Sequence, residues 1–145
     1  MAQESSAYKV APLTIEWAAR VWPQLEGHIG RALRRGGLEK AYQPCDVLAD
    51  ALLGACLIWA VTREQKIVAA IVTRRVDYRR CSTLFVSLIG GAEMKGWRPL
   101  AEETIETYAK NLGCVALEGG NRRGWARWPG WKVTGFTMQK DLRDG

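Results

Sequence analysis

Histidine is nearly absent from this chain, with His28 alone, and the four cysteines, Cys45, Cys56, Cys81 and Cys114, form no C-x-x-C pair. Their wide, irregular spacing argues against a zinc site or a disulfide framework. No Ser-His-Asp or Cys-His arrangement can be assembled from these residues with any specificity. Cys56 and Cys114 sit inside apolar runs, where a thiol serves as a small buried hydrophobe. No apolar run is long enough to cross a membrane as a helix, so no membrane partner is expected. The first ten residues lack the apolar centre of a signal peptide, and a cytoplasmic location is the expectation. Internal repeats, low-complexity tracts and linkers are also missing, which points to a single domain.

What is present is a 145-residue chain with 48% hydrophobic residues, enough for one real core. Its formal charge of +6 suits a polyanionic partner such as nucleic acid, anionic lipid or coenzyme A. The excess lies in pairs, Arg34-Arg35, Arg74-Arg75, Arg79-Arg80 and Arg122-Arg123. None is the block of like charges that marks a nucleic-acid tail, and a solvated surface is the simpler reading.

Residues 1–12 read as a flexible lead-in and residues 13–145 as the domain. From 13 to 33 apolar residues recur at spacings of three and four, the mark of an amphipathic helix. Thr14 caps it, Pro23 must begin a new turn or kink it, and Gly36-Gly37 ends it. Pro44-Cys45-Asp46 opens a second helix, closed by Gly54. Strand candidates follow at 55–61, 66–78 and 81–89, and their short connections predict an antiparallel meander. Gly90-Gly91 breaks the third strand. A helix starting near Trp97 then runs to the stop at Asn111-Leu112-Gly113, with Pro99 in its first turn. Strand resumes at 115–117, so a parallel crossover is expected, and a last strand-like run covers 132–142. The element list describes an α+β domain on a mixed, mainly antiparallel sheet flanked by helices.

Residues 114–131, Cys114-Val115-Ala116-Leu117-Glu118 through Asn121 to Gly130-Trp131, pass from a strand to an Asn-led amphipathic stretch and a Gly-aromatic pair. With the strand-like run that follows, that order resembles the closing segment of the GNAT N-acetyltransferase superfamily. The resemblance implies acetyl-CoA as cofactor, with its pyrophosphate on backbone amides at the start of the central helix. The corresponding residues here are Gly90, Gly91, Lys95, Gly96, Trp97 and Arg98, without the family's glycine spacing and with Glu93 among them. Glu118, at a strand end, is the candidate general base, its competing role being a surface ion pair with Arg122 or Arg123. No tyrosine takes the family's general-acid position: Trp128 or Ala126 falls there, depending on the anchor, and indole does not titrate.

Arg122, Arg123, Trp125, Arg127 and Trp128 form a basic, indole-rich segment. It reads as core packing, as a protein interface or as a nucleic-acid surface. Residues 15–142 also resemble small GNAT-like proteins of tailed bacteriophages. That resemblance rests on Trp22-Pro23-Gln24-Leu25, Ile67-Val68-Ala69-Ala70, Gly90-Gly91 and the run Arg122-Arg123-Gly124-Trp125-Ala126-Arg127. It implies either an interaction or virion component on a catalytically degenerate scaffold, partnered by other subunits or by itself, or a small acetyl-CoA-dependent acetyltransferase for an amine.

Overall fold

The computed structural model describes residues 7–120 and 123–143, with the backbone alone at 123 and 126. Five strands form one sheet in the order β1-β2-β3-β4-β5. Strand β1 (Tyr8–Pro12) lies at one edge, antiparallel to β2 (Leu57–Arg63). Residues 8–12, expected in the lead-in, are therefore part of the sheet. Pro12 is tolerated there because an edge strand has one side with no ladder to feed.

Thr14 caps helix α1 (Ile15–Arg20), its hydroxyl accepting from the Trp17 amide at 3.3 Å. The long apolar period then breaks at Val21, and Pro23 sits at the start of α2 (Trp22–Arg35), where its missing N–H costs nothing. Gly37, at φ 71°, ends the helical run in a conformation that favours glycine. Helix α3 (Pro44–Leu52) opens with the Gln43 amide donating to the Asp46 carboxylate at 2.9 Å. The buried faces of α1, α2 and α3 cover one side of the sheet around Leu25, Ile29, Ile58 and Leu88.

Strands β2 and β3 (Lys66–Asp77) join through Glu64 and Gln65, both at positive φ, the backbone of a tight hairpin turn. Strand β4 (Ser82–Gly91) completes the antiparallel meander. Residues Ile67–Thr73 of β3 are buried without interruption because layers of helix cover both faces. The second cover is α4 (Met94–Asn111), which buries Trp97, Ala101, Ile105 and Ala109 against the sheet. It starts at Met94, earlier than the expected Trp97. The Trp97 indole is core, and its Nε1 donates to the Ala92 carbonyl at 2.7 Å, which draws the preceding turn into the helix. Strand β5 (Ala116–Gly119) then pairs parallel to β4, as the helix between strands predicts.

The expected last strand is not formed. Residues 132–142 have no regular structure and join no strand, and Val133, Phe136, Met138 and Leu142 point into solvent. An alternating pattern alone does not make a strand; it needs a paired edge.

Candidate functional site

The parallel β4–β5 pairing covers only Thr83 to Val86 against Ala116 to Gly119. Just beyond it, the β3–β4 register jumps from Thr73↔Val86 to Val72↔Leu88, which leaves Ser87 as an extra, bulged residue. A bulge bends a strand and increases its twist. Past Ser87, β4 runs on to Gly91 with no neighbour on its β5 side among the described residues. The sheet thus opens into a wedge-shaped gap, with α4 packed over it.

Indoles fill this gap. After β5 the chain turns through a 3₁₀ helix (Arg123–Arg127). Trp125 is buried, against Gly119 and alongside Ser87 to Ile89. Trp128 stacks on it at 5.5 Å between ring centroids, and Trp131 meets both edge-on. A latch from α4 holds the cluster. The Arg98 guanidinium lies 4.7 Å over Trp128, with its Nη1 3.6 Å from the Glu102 carboxylate, and Trp131 Nε1 donates to that carboxylate at 2.7 Å. The space left among Val86, Ile89, Leu117, Trp125 and Arg98 is about 30 Å³, room for a water. Two buried donors bordering it, Trp125 Nε1 and Arg98 Nη1, have no hydrogen-bond partner among the described residues.

The helix start beside the gap is covered by the chain itself. Glu93, at the N-cap with φ 61°, accepts from the Tyr8 hydroxyl at 2.8 Å and from Arg63 at 2.5 Å. The Tyr8 hydrogen bond, then the Arg63 one, hold its carboxyl below the usual range, and the same contact raises the Tyr8 phenol. The Tyr8 hydroxyl rests on Gly96, where a Cβ would stand 2.7 Å from it. Gly96 therefore makes room for a side chain from β1. Gly90 and Gly91 have packing roles too. A Cβ on Gly90 would stand 2.1 Å from the His28 carbonyl of α2, and Gly91, at φ 142°, passes tightly over Ala69. Of the six residues proposed from the sequence to hold a cofactor, Trp97 and Arg98 line the gap, Lys95 is exposed in the first turn of α4, and the three glycines shape the strand and turn.

Glu118 lies outside the gap lining. Its carboxylate accepts from Thr83 Oγ1 at 2.6 Å and from the Tyr78 hydroxyl at 2.9 Å, and the latter bond raises the phenol's pKa. Sequence reasoning missed both partners, because Tyr78 belongs to the β3–β4 turn, forty residues away. Among the basic segment's residues, Arg127 is exposed, Trp125 buried and Trp128 half-buried, so the indoles face inward. Asn121, Arg122 and the Arg123 side chain lie outside the described residues. His28 is half-buried. Its ring contacts the Ile67 carbonyl and Arg31, and desolvation lowers its pKa.

No family model matches the chain, and no curated protein matches it. Solved structures do. A ribosomal-protein-alanine N-acetyltransferase from Brucella melitensis biovar Abortus 2308 superposes at TM-score 0.66 with 16% identity, over 96% of this chain and 100% of that one. A predicted acetyltransferase with acetyl-CoA from Clostridium acetobutylicum gives 0.68 with 10% identity, over 93% and 96%. A GNAT family acetyltransferase from Staphylococcus aureus gives 0.60 with 15% identity, over 92% and 99%. The chain has the GNAT acetyltransferase fold.

Proposed function

We propose that this chain holds acetyl-CoA in the gap between β4 and β5 and passes the acetyl group to an amine at a low rate. The observation that carries the reading is the edge of β4 beyond Ser87, unpaired among the described residues and flanked by two buried donors with no hydrogen-bond partner there, Trp125 Nε1 and the Arg98 Nη1 that is ion-paired with Glu102. Orphaned buried donors are rare, and acceptor atoms of a ligand relieve their cost. The cofactor's arm carries amide carbonyls and a thioester carbonyl, which match such donors, and its thioester supplies the acetyl group when it is bound. In this proposal the β4 backbone past Val86, Trp125 Nε1 and Arg98 Nη1 orient it. Lys95 and the first amides of α4 face its phosphates. Entry requires the indole cluster to swing out with the 3₁₀ helix, since the space is otherwise that of one water.

The low rate follows from what lines the gap. Glu102 is its only described carboxylate, and it is engaged by Arg98 and Trp131. A placed acid or base is worth about 10²–10⁴ in rate, and that factor is forgone. Calorimetric titration with acetyl-CoA tests the reading. Saturable binding weakened about tenfold or more by Arg98→Ala is expected, charged hydrogen bonds being worth about 1.5–3 kcal/mol. Absence of binding by the folded chain overturns it, and so does fast turnover that collapses in Glu118→Gln.

A second reading is an interaction component without catalysis, such as a bacteriophage virion protein acting with nucleic acid or protein partners. The closure of the gap by three indoles favours it.

A further inference from the structure

A concave site lies away from the cofactor gap, at the other end of the sheet. Strand β2 begins only at Leu57, where it meets Thr73, while β3 runs on beside β4 to Asp77↔Ser82. From Arg74 to Asp77 the β2-side edge of β3 therefore has no partner among the described residues. A groove of about 450 Å³ opens at this step, bounded by the β1–α1 turn, the α3–β2 connection and the C-terminal end of α4. That volume falls in the range of about 300–1,000 Å³ typical of small-molecule sites.

The reachable walls are apolar. Leu13, Ile15, Cys56, Leu57, Tyr108 and Leu112 line the groove and are half-buried. Leu52 and Leu53, between the lining residues Ala51 and Gly54, are 58% and 83% exposed.

The lining charge has one sign. Arg74 and Arg75 line the groove, and no carboxylate does among the described residues. Arg74 lies 5.2 Å over the Phe85 ring and pairs with no acid among the described residues. Arg75 uses Nε on Asp77 at 2.8 Å and Nη2 on Ser82 at 3.3 Å, which leaves Nη1 without a partner there. The acids nearby are Asp77 and, beside Cys56, Asp50. Against them stand Arg74 and Arg75, with Arg79 and Arg80 exposed at the tip of the same hairpin. Guanidinium groups at the rim of an apolar groove complement a ligand with an apolar body and an anionic head.

We propose that this groove binds a free amphipathic acid, with its alkyl or aromatic body on Leu13, Leu57, Tyr108 and Leu112 and its carboxylate or phosphate on Arg74 and Arg75. Enclosure by three elements favours a small molecule over a flat surface such as a bilayer. The groove shares no lining residue with the gap between β4 and β5, so this inference does not depend on acetyl-CoA binding.

Calorimetric titration with decanoate and with decyl phosphate tests it, with decanol as the uncharged control. Saturable binding of at least one acid is expected, the tighter one naming the head group. Decanol should bind about tenfold or more weaker, because hydrogen bonds to charged groups are the strong ones. The double variant Arg74→Gln, Arg75→Gln should weaken the acid by a similar factor and leave decanol unchanged. Both side chains are exposed, so far-UV circular dichroism should not change. An independent arm uses the unaltered protein. Bound acid should slow the reaction of Cys56 with a disulfide reagent, while Cys45 and Cys81, which do not line the groove, react as before. Failure of both acids to bind overturns the proposal, as do equal affinity for decanol, binding indifferent to the double variant, and an unshielded Cys56. Displacement of the acid by acetyl-CoA also overturns it, since the acid then occupies the gap. So does attachment to phosphatidylglycerol vesicles without binding of either acid, because the surface then reads a bilayer.

Discussion

Gly119 shows how much one missing side chain can decide. A Cβ there would stand 2.3 Å from the Trp125 ring, too close for any real contact. Gly119→Ala should therefore expel the indole from the gap and lower stability by roughly 1–3 kcal/mol, the usual cost of overpacking. Denaturant unfolding gives the loss, and a red shift in tryptophan fluorescence reports the indole's exposure. Cys56 offers a second check at this scale. Burial, and then nearby Asp50, push its thiol up to about 11. Exposed Cys45 and Cys81 should react with a disulfide reagent at pH 8 well before Cys56 does. Equal rates at all of them would contradict this burial. His28 carries a pH dependence of its own near neutrality. Its folded pKa lies below 6.5, so the unfolded chain binds the proton first as pH falls. Stability present above 6.5 should decline as pH falls from there through the lowered folded value. His28→Gln should flatten that slope in urea titrations at pH 7 and pH 5.

The junction between β4 and α4 is where local pattern and tertiary packing diverge. Its three glycines suggested a phosphate loop, yet each is explained by a close neighbour: the His28 carbonyl, Ala69 and the Tyr8 phenol. The clasp of Tyr8, Glu93 and Arg63 ties β1 and β2 to the start of α4 and sets a carboxylate at the dipole's positive end. Removing that charge should favour an anion there. Glu93→Gln is expected to tighten acetyl-CoA binding severalfold in the same calorimetric titration. A weaker or unchanged affinity would mean that the phosphates lie elsewhere. The clasp also has its own acid limit, because the Glu93 pKa is depressed. Its contribution is present above the ordinary value of 4.5 and is lost as pH falls through the lower folded value.

At the scale of the whole molecule, one sheet separates two apolar layers. Helices α1 to α3 cover one face and α4 with Trp125 covers the other. Neighbouring residues of β3, such as Ala70 and Ile71, belong to opposite layers, so neither layer can melt while the sheet survives. Far-UV circular dichroism and tryptophan fluorescence should give coincident thermal transitions. An earlier fluorescence transition would show that the indole cluster unfolds separately.

Periodicity in the sequence determined the two amphipathic stretches around Pro23 and Pro44, the meander, the crossover helix and the parallel strand after it. Each rests on interactions a few residues apart or on one buried face, and local chemistry specifies those. Tertiary structure alone decided the rest. Residues 8–12 became a strand because β2 offered an edge, whereas 132–142 did not because no described strand pairs with them. Trp125 went inward because β4 bulges at Ser87 and leaves a gap its ring can fill. Glu118 found Tyr78 and Thr83 because β5 lies beside β4. Pairing and burial between distant segments depend on which surfaces the fold leaves open, and no window of sequence contains that information.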